Sequence, residues 1–418
     1  MNFIKNLIKS QAANQAGLLL LATVSNIITQ IIINALLARS LSQEEYGNYS
    51  YFINLFTFCQ TVFNFGFFYT ICRLVSISKD SRDARIYYYE GLKYLFVLSL
   101  LMILVLYAYS FIELSDLRKN GIEKVFWIIT PFSFVYLITN YNEQIFQGNN
   151  KIKELAISRG LPKFVYAFLL IVVFFCRIKV RLEVFLILYL CSHLAVYIYL
   201  INQVSPIRDK VSRFKEIYTK NKKFGINIYL GALLSVGVAN LMGLIISKYC
   251  NDNVELGFYN IALQISVPLT LIPNILSTVF FAKFASNHLL TRNLVIGVVV
   301  ISLFLYTILF IFSDIIISIV FGASYLPAAK LIKILGLGSL LYGIADFFNR
   351  FILAKGESNI IRNIATTVGI SYLLFGFLLI PKYLAEGASY AKVLTGIIYL
   401  TTEAICTKIV ISKARKTN

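Results

Sequence analysis

Long apolar runs recur along the whole of this 418-residue chain. A run of about 18 or more apolar residues with few charges is typical of a membrane-spanning helix, because about 20 residues cross a hydrocarbon core about 30 Å thick. Backbone groups inside a bilayer find no water to bond, so only helices and closed barrels span it. The runs here are continuous rather than alternating, and they therefore predict helices.

The apolar runs predict about twelve transmembrane spans. Composition agrees: 58% of the residues are hydrophobic and only 14% are charged, against about a quarter in soluble domains. A set of soluble domains is therefore excluded. The predicted spans cover residues 14–37, 46–72, 86–109, 124–146, 161–177, 183–203, 224–248, 256–281, 293–313, 328–353, 360–380 and 384–410.

The distribution of basic residues predicts the orientation of the spans. With an even number of spans and the N-terminus inside, the inner segments hold 24 Lys and Arg and the outer loops hold 9. This bias satisfies the positive-inside rule and predicts that both termini are cytoplasmic. The net charge of +19 is spread among short loops, a pattern that favours anionic membrane lipids and not nucleic acid.

The longest polar connection divides the chain into two halves. We predict an amphipathic segment on the membrane surface (1–13), an N-terminal lobe of six spans (14–207), a basic cytoplasmic linker (208–223) and a C-terminal lobe of six spans (224–418). Residues 45–49 resemble residues 255–259 at an offset of 210, and residues 146–148 resemble 354–356 at an offset of 208. Such offsets indicate a duplicated six-helix unit with both copies in the same orientation. The predicted fold is an all-α polytopic membrane protein with two pseudo-symmetric six-helix lobes around a central cavity.

Several predicted spans carry polar residues at helical spacing, which places them on one helix face. These stripes either form hydrogen bonds between helices or line a shared hydrophilic cavity. Charges within spans are the sharper signal, because each is costly in a bilayer and marks a pathway or a pair. The candidate cavity residues are Asn26, Gln30, Asn34, Asn64, Arg73, Lys93, Lys283, Asp346, Arg350 and Lys392.

Some of these charges have a simpler interpretation. Asp346 and Arg350 are spaced to pair with each other, as are Glu90 and Lys93. Arg73 and Lys283 lie at helix ends, from which long side chains reach the interface. Lys392 and Glu403 are eleven residues apart in one span and cannot pair directly. Because the candidates near the cytoplasmic side are mainly cationic, a cavity built from them would suit an anionic, phosphate-bearing substrate.

Signatures of enzymes and cofactor-binding proteins are missing from the sequence. The chain has no phosphate-binding glycine loop, no serine–histidine–aspartate set and no metal-binding spacing among its six cysteines and two histidines. We therefore expect neither catalysis nor a cofactor. Uphill transport would be driven by a H⁺ or Na⁺ gradient, or by neighbouring enzymes.

Four segments resemble a known family. Residues 37–49 are similar to the first outer loop of the O-antigen and polysaccharide-unit flippases, which belong to the multidrug/oligosaccharidyl-lipid/polysaccharide exporter superfamily. Residues 257–262, 321–325 and 387–391 carry related motifs in the second half, so the resemblance covers nearly the whole chain.

The resemblance implies a function. It implies a multi-pass protein of the bacterial inner membrane that moves an undecaprenyl-diphosphate-linked oligosaccharide, an O-antigen or capsular repeat unit, from the cytoplasmic to the periplasmic leaflet. The two lobes would rock about a cationic lumen in alternating access. Polymerase and chain-length proteins of the same pathway would be partners.

Two other functions remain open. A drug/cation antiporter of the same superfamily would need a buried unpaired acid, whereas Asp346 is spaced to pair with Arg350. An O-antigen polymerase or membrane glycosyltransferase could use Glu44 and Glu45, but such proteins usually carry a large outer loop, and every predicted outer loop here is short.

Overall fold

The computed structural model describes residues 11–416 except 79, 177, 179, 210–211 and 287–289. Residues 1–10 of the predicted amphipathic segment lie outside the described residues. Throughout the described ranges the regular secondary structure is helical. The all-α prediction is confirmed.

Nine helices lie in the described residues of the first half of the chain. They are α1 (Gln11–Ser40), α2 (Gln43–Val62), α3 (Phe67–Ile77), α4 (Ser81–Ile112), α5 (Leu114–Lys119), α6 (Glu123–Ile129), α7 (Phe134–Gly148), α8 (Ile152–Phe175) and α9 (Leu182–Val204).

Nine more helices follow. They are α10 (Phe214–Lys220), α11 (Ile226–Ala232), α12 (Val238–Tyr249), α13 (Val254–Ile265), α14 (Val267–Val279), α15 (Phe281–Ser286), α16 (Arg292–Val320), α17 (Pro327–Ala354) and α18 (Ser358–Lys416). Two π-helical turns, Asn221–Gly225 and Leu233–Gly237, join α10, α11 and α12 into one run of 36 residues.

The number of membrane-crossing helices differs from the prediction. Within the described residues, nine helical segments are long and apolar enough to cross a membrane, or ten if the bent pair α2 and α3 forms one span. Two places account for the difference from twelve. The predicted spans 360–380 and 384–410 both lie in α18 and count as one segment, although the backbone of Leu384 at their junction (φ 49°, ψ −123°) is not helical. The predicted fourth span is divided by a 3₁₀ turn, Thr130–Ser133, between α6 and α7.

The bend between α2 and α3 has a local cause. Phe65 and Gly66 both have positive φ angles (45° and 83°), so the chain leaves the helical conformation there. Glycine adopts such angles without steric cost, and its presence permits the turn. The two helices meet at 58°, within a segment predicted as one continuous span.

The chain divides into two compact units. One comprises the residues up to Ser40 together with Leu55–Leu233, and the other comprises Leu41–Asn54 together with the chain from Leu234 onward. These bounds differ from the predicted lobes: residues 41–54 group with the second unit, and the predicted linker 208–223 groups with the first. The pairing of six spans with six remains a prediction.

Exposed apolar surface identifies the environment of the helices. Only 11% of the most apolar stretch of α16 is buried, whereas 61% is buried in α17. Soluble proteins rarely expose apolar patches larger than a few hundred Å². The α16 surface is therefore suited to hydrocarbon, and the chain is a polytopic membrane protein.

Candidate functional site

The second unit contains a cavity of about 310 Å³ among its helices. Four tyrosines, an acid, a base and an amide line it together with apolar groups. The polar and aromatic members are Ser235, Tyr259, Tyr342, Asp346, Asn349, Tyr372, Lys392 and Tyr399. Ligand-binding cavities of this size usually combine apolar walls with a few well-placed polar groups.

Two helices, α17 and α18, supply most of the polar lining. They are joined by a ladder of three hydrogen bonds. Lys392 Nζ donates to Ser339 Oγ (2.9 Å), and Tyr399 OH donates to Asp346 Oδ1 (2.8 Å). Asn349 Nδ2 donates to Glu403 Oε1 (2.6 Å). The partners are 53, 53 and 54 residues apart, so α17 and the second part of α18 run parallel and in register.

The ladder explains how two charges occur in one span without pairing. Lys392 and Glu403 each bond to α17 instead of to each other, as the prediction of no direct pair requires. Their separation of 11 residues is close to the 10 residues that separate their partners on α17. This repeated spacing is the sequence signal that could have identified the contact.

Glu403 has an incomplete set of hydrogen bonds. Its side chain is fully buried, and Oε2 has no hydrogen-bond partner among the described residues, although Oε1 accepts from Asn349. An uncompensated charge inside a bilayer is costly, and a buried carboxyl group with an unpartnered oxygen is therefore a candidate site for a proton or a cation.

The expected pair of Asp346 and Arg350 does not form. Asp346 accepts from Tyr399, and the ion pairs of the described residues do not include one between Asp346 and Arg350. The two side chains still interact electrostatically. The competing hydrogen bond is from α18, a contact that spacing along α17 alone cannot predict.

The tyrosines of the cavity are connected to each other. The hydroxyl oxygens of Tyr259 and Tyr372 lie 3.2 Å apart, and the rings of Tyr342 and Tyr399 meet edge to face with centroids 5.3 Å apart. Bonded hydroxyls and crossed rings hold these side chains in place. The result is an aromatic lining whose side chains contact each other in pairs.

Two of the ten predicted cavity residues, Asp346 and Lys392, line this cavity. Arg350 and Lys283 belong to the same unit but do not line it. The Lys283 side chain is exposed, 5.9 Å from the ring of Phe280, as expected for a side chain that reaches the interface.

The other six candidates belong to the first unit. Along α1, Gln30 Nε2 donates to Asn34 Oδ1 (3.3 Å), while Asn26 Oδ1 is buried with no hydrogen-bond partner among the described residues. Asn64 Nδ2 donates to Asn140 Oδ1 (3.1 Å). The Asn64 hydrogen bond therefore joins two predicted spans, as polar residues in membrane helices often do.

The two cations of the first unit have local partners. Lys93 Nζ forms an ion pair with Glu90 Oε1 (2.7 Å), and the prediction of this pair is confirmed. Glu90 is buried while Lys93 is half-exposed. Arg73 is exposed and lies 4.2 Å from the ring of Phe224.

Comparisons with known proteins identify the family. Residues 12–288 match the family described as "Polysaccharide biosynthesis protein", which is more than half of the chain. The chain belongs to the polysaccharide biosynthesis protein family. A member from Staphylococcus aureus, the capsular polysaccharide biosynthesis protein CapF, is 23% identical over 394 residues, which cover 88% of this chain and 92% of that protein.

Solved structures share the fold. The lipid II flippase MurJ, in an inward closed conformation, has a TM-score of 0.71 at 17% identity, covering 93% of this chain and 87% of that one. An inward-facing multidrug resistance transporter of the MATE family, in the MOP superfamily, also has a TM-score of 0.71, at 12% identity, covering 94% and 96%. These two structures show the shared fold, and the family match confirms the predicted resemblance to a polysaccharide family.

The motifs that carried the resemblance have a structural role in this family member. Gly47 lies against the backbone carbonyl of Asn253, and a methyl group added at Gly257 would come 3.3 Å from the Gly47 Cα. Asn253 Nδ2 donates to Asn48 Oδ1 (2.7 Å). The two segments that resemble each other in sequence therefore pack directly together within the second unit. Close backbone approach requires glycine at these positions.

Proposed function

We propose that the protein is a flippase that moves an undecaprenyl-diphosphate-linked oligosaccharide across the membrane by alternating access. The observation that carries the proposal is the cavity of the second unit, which four tyrosines line together with Asp346, Asn349 and Lys392, in a membrane chain of a polysaccharide biosynthesis family. A transporter function, without catalysis, agrees with this arrangement.

The cavity chemistry supports a saccharide as the transported group. Flat tyrosine rings offer apolar faces to the C–H faces of a sugar, and the phenol hydroxyls offer hydrogen bonds. Asp346 and Asn349 supply further acceptors and donors, and Lys392 supplies a positive charge. A single apolar drug would need fewer polar groups.

The charge bias of the loops supports the proposed orientation of the chain, and the family resemblance supports the direction and the location. We propose transfer from the cytoplasmic to the periplasmic leaflet of the bacterial inner membrane, with both termini cytoplasmic. The substrate is an O-antigen or capsular repeat unit, and the polymerase and chain-length proteins of the same pathway receive it. The name of the Staphylococcus aureus relative supports a capsular pathway.

We further propose that an ion gradient drives the transport, with Glu403 and Asp346 as the coupling groups. The two carboxyl groups interact electrostatically, and Glu403 Oε2 lacks a partner among the described residues. A proton or Na⁺ bound there would remove the cost of the buried charge. The same observation favours the second candidate function, a drug/cation antiporter, since Asp346 is not held in an ion pair with Arg350.

A deletion strain tests the proposed function. We expect lipid-linked repeat units to accumulate in the cytoplasmic leaflet and surface polysaccharide to be lost. The wild-type chain should restore it, Lys392→Met should restore it poorly, and the exposed Lys382→Met should serve as the matched control and restore it fully. Surface glycolipid capped with a single repeat unit would instead identify a polymerase. Normal surface polysaccharide with increased drug sensitivity would identify the antiporter.

A further inference from the structure

We propose that residues 214–223 form a binding surface for the headgroups of anionic phospholipids in the cytoplasmic leaflet. The surface, here called the basic face, consists of Lys215, Lys220, Lys222 and Lys223 together with Phe214 and Tyr218, all exposed. This inference does not depend on the proposed transport function.

The basic face is fixed in its orientation by the opposite side of the same helical run. Ile217, Asn221 and Gly225 are buried and recur every four residues, so they share one helix face. Asn221 accepts from Thr70 Oγ1 (2.8 Å) and donates to the Phe65 carbonyl (3.0 Å). These contacts within the first unit turn the lysines outward, so residues 214–223 of the predicted linker are docked on the unit.

The charges of this region are divided between the two sides. Arg213 faces the unit, where it pairs with Asp83 (2.9 Å) and Glu216 (3.7 Å), and Glu216 also accepts from Tyr87. The four lysines of the basic face form no ion pair with a described residue, as the pairs that do form involve other side chains. The outward side therefore keeps four uncompensated positive charges.

Aromatic residues place the basic face at membrane level. Phe214 stacks on Tyr94 (centroids 5.5 Å apart), and Tyr218 follows it at 6.2 Å. Lys222 Nζ lies 4.8 Å from the Tyr218 ring. Aromatic side chains are enriched at membrane interfaces, where one part contacts hydrocarbon and the other contacts water. Alternating lysines and aromatic residues are thus suited to a layer of anionic headgroups.

The length of the helical run also supports a position of the basic face at the membrane surface. The run Phe214–Tyr249 has 36 residues and is apolar enough to cross the membrane. At 1.5 Å per residue it is about 54 Å long, against a hydrocarbon core of about 30 Å. The run is therefore longer than the core, and the lysines of its first ten residues place this end outside the core, because charges within the core are costly.

Single-tryptophan fluorescence tests the inference in vesicles. The chain has one tryptophan, Trp127, so Trp127→Phe combined with Tyr218→Trp places the only reporter on the basic face. We expect brominated phosphatidylglycerol to quench it more than brominated phosphatidylcholine does at the same mole fraction, and high salt to reduce the difference.

Charge variants complete the test. Lys→Gln at positions 215, 220, 222 and 223 should weaken the preference for phosphatidylglycerol at least tenfold, because each lysine near an anionic surface contributes about fivefold. Lys→Arg at the same positions should keep the preference, which separates charge loss from misfolding. The matched control replaces four other exposed basic residues by Gln: Lys153, Arg362, Lys382 and Lys408.

Two results would overturn the inference. Equal quenching by the two lipids, or a preference that survives in the Lys→Gln variant, would mean that the basic face does not bind anionic headgroups. If inorganic diphosphate abolished the quenching by brominated phosphatidylglycerol, the basic face would be assigned to a diphosphate ligand instead of phospholipid.

Discussion

At the scale of single residues, the motif around Gly47 shows what sequence patterns can and cannot predict. The similarity of residues 45–49 and 255–259 predicted related segments. It could not predict that the two segments touch, because the contact depends on how helices far apart in sequence pack. Asn253, which bonds Asn48 and also accepts from Ser247 (2.5 Å), belongs to neither motif and was not singled out.

Replacement of Gly47 by alanine should destabilise the protein. The added methyl group would collide with the backbone carbonyl of Asn253, which cannot move aside as a flexible side chain can. We expect a loss of about 1–3 kcal/mol in unfolding free energy, seen as a lower melting temperature in detergent. Gly297→Ala is the matched control, since nothing lies within 4 Å of its added methyl group. Equal melting temperatures for the two variants would contradict the close contact.

The charged residues show a similar division between what the sequence predicts and what it does not. The pair of Glu90 and Lys93 was predicted correctly, because both residues lie one turn apart on the same helix. Asp346 and Arg350 have comparable spacing, yet Asp346 bonds Tyr399 on another helix. Spacing along one helix identifies a possible ion-pair partner, but a residue on another helix can form the hydrogen bond instead.

At the scale of elements, the parallel pair α17 and α18 builds the candidate site. The sequence placed a polar stripe on α17 and two charges on α18, and the three bonds of the ladder join them. The predicted boundary between the spans 360–380 and 384–410 coincides with the non-helical residue Leu384, three residues after Pro381, although α18 continues through it. The span count derived from helices alone consequently differs from the count derived from apolar runs.

Glu403→Gln should uncouple transport from the ion gradient. Gln keeps an oxygen that can accept from Asn349 but cannot take up a proton or carry charge. The ionisable groups nearby are Asp346 on α17 and Tyr399 and Cys406 on α18. In vesicles with an imposed proton gradient, we expect the gradient-dependent acceleration of transport to fall to the level without a gradient.

The control for this variant is Glu386→Gln, which removes a carboxylate that pairs with exposed Lys330 (2.5 Å) and lies away from the cavity lining. It should retain the response to the gradient. A normal response in the Glu403→Gln variant would exclude Glu403 as a coupling group, while leaving the transported substrate open.

At the scale of the whole molecule, apolar composition and a few motifs predicted the class of the fold and the family. The membrane environment, the all-α class and the polysaccharide family were predicted from apolar runs and motifs, and the fold and family comparisons agree. The bounds of the two compact units were not predicted, because α2 and the run containing α10, α11 and α12 each contribute residues to both units. Apolar periodicity marks spans and carries no information about which spans pack together.

The central claim is that this chain moves a lipid-linked saccharide from one leaflet to the other. The most direct measurement uses purified protein in vesicles that carry an undecaprenyl-diphosphate-linked saccharide in the outer leaflet, and follows the loss of lectin access to the sugar. The account predicts that vesicles with protein lose access faster than protein-free vesicles, and that Lys392→Met slows the loss. An unchanged rate of loss, together with gradient-driven movement of a cationic dye by the same vesicles, would contradict the account.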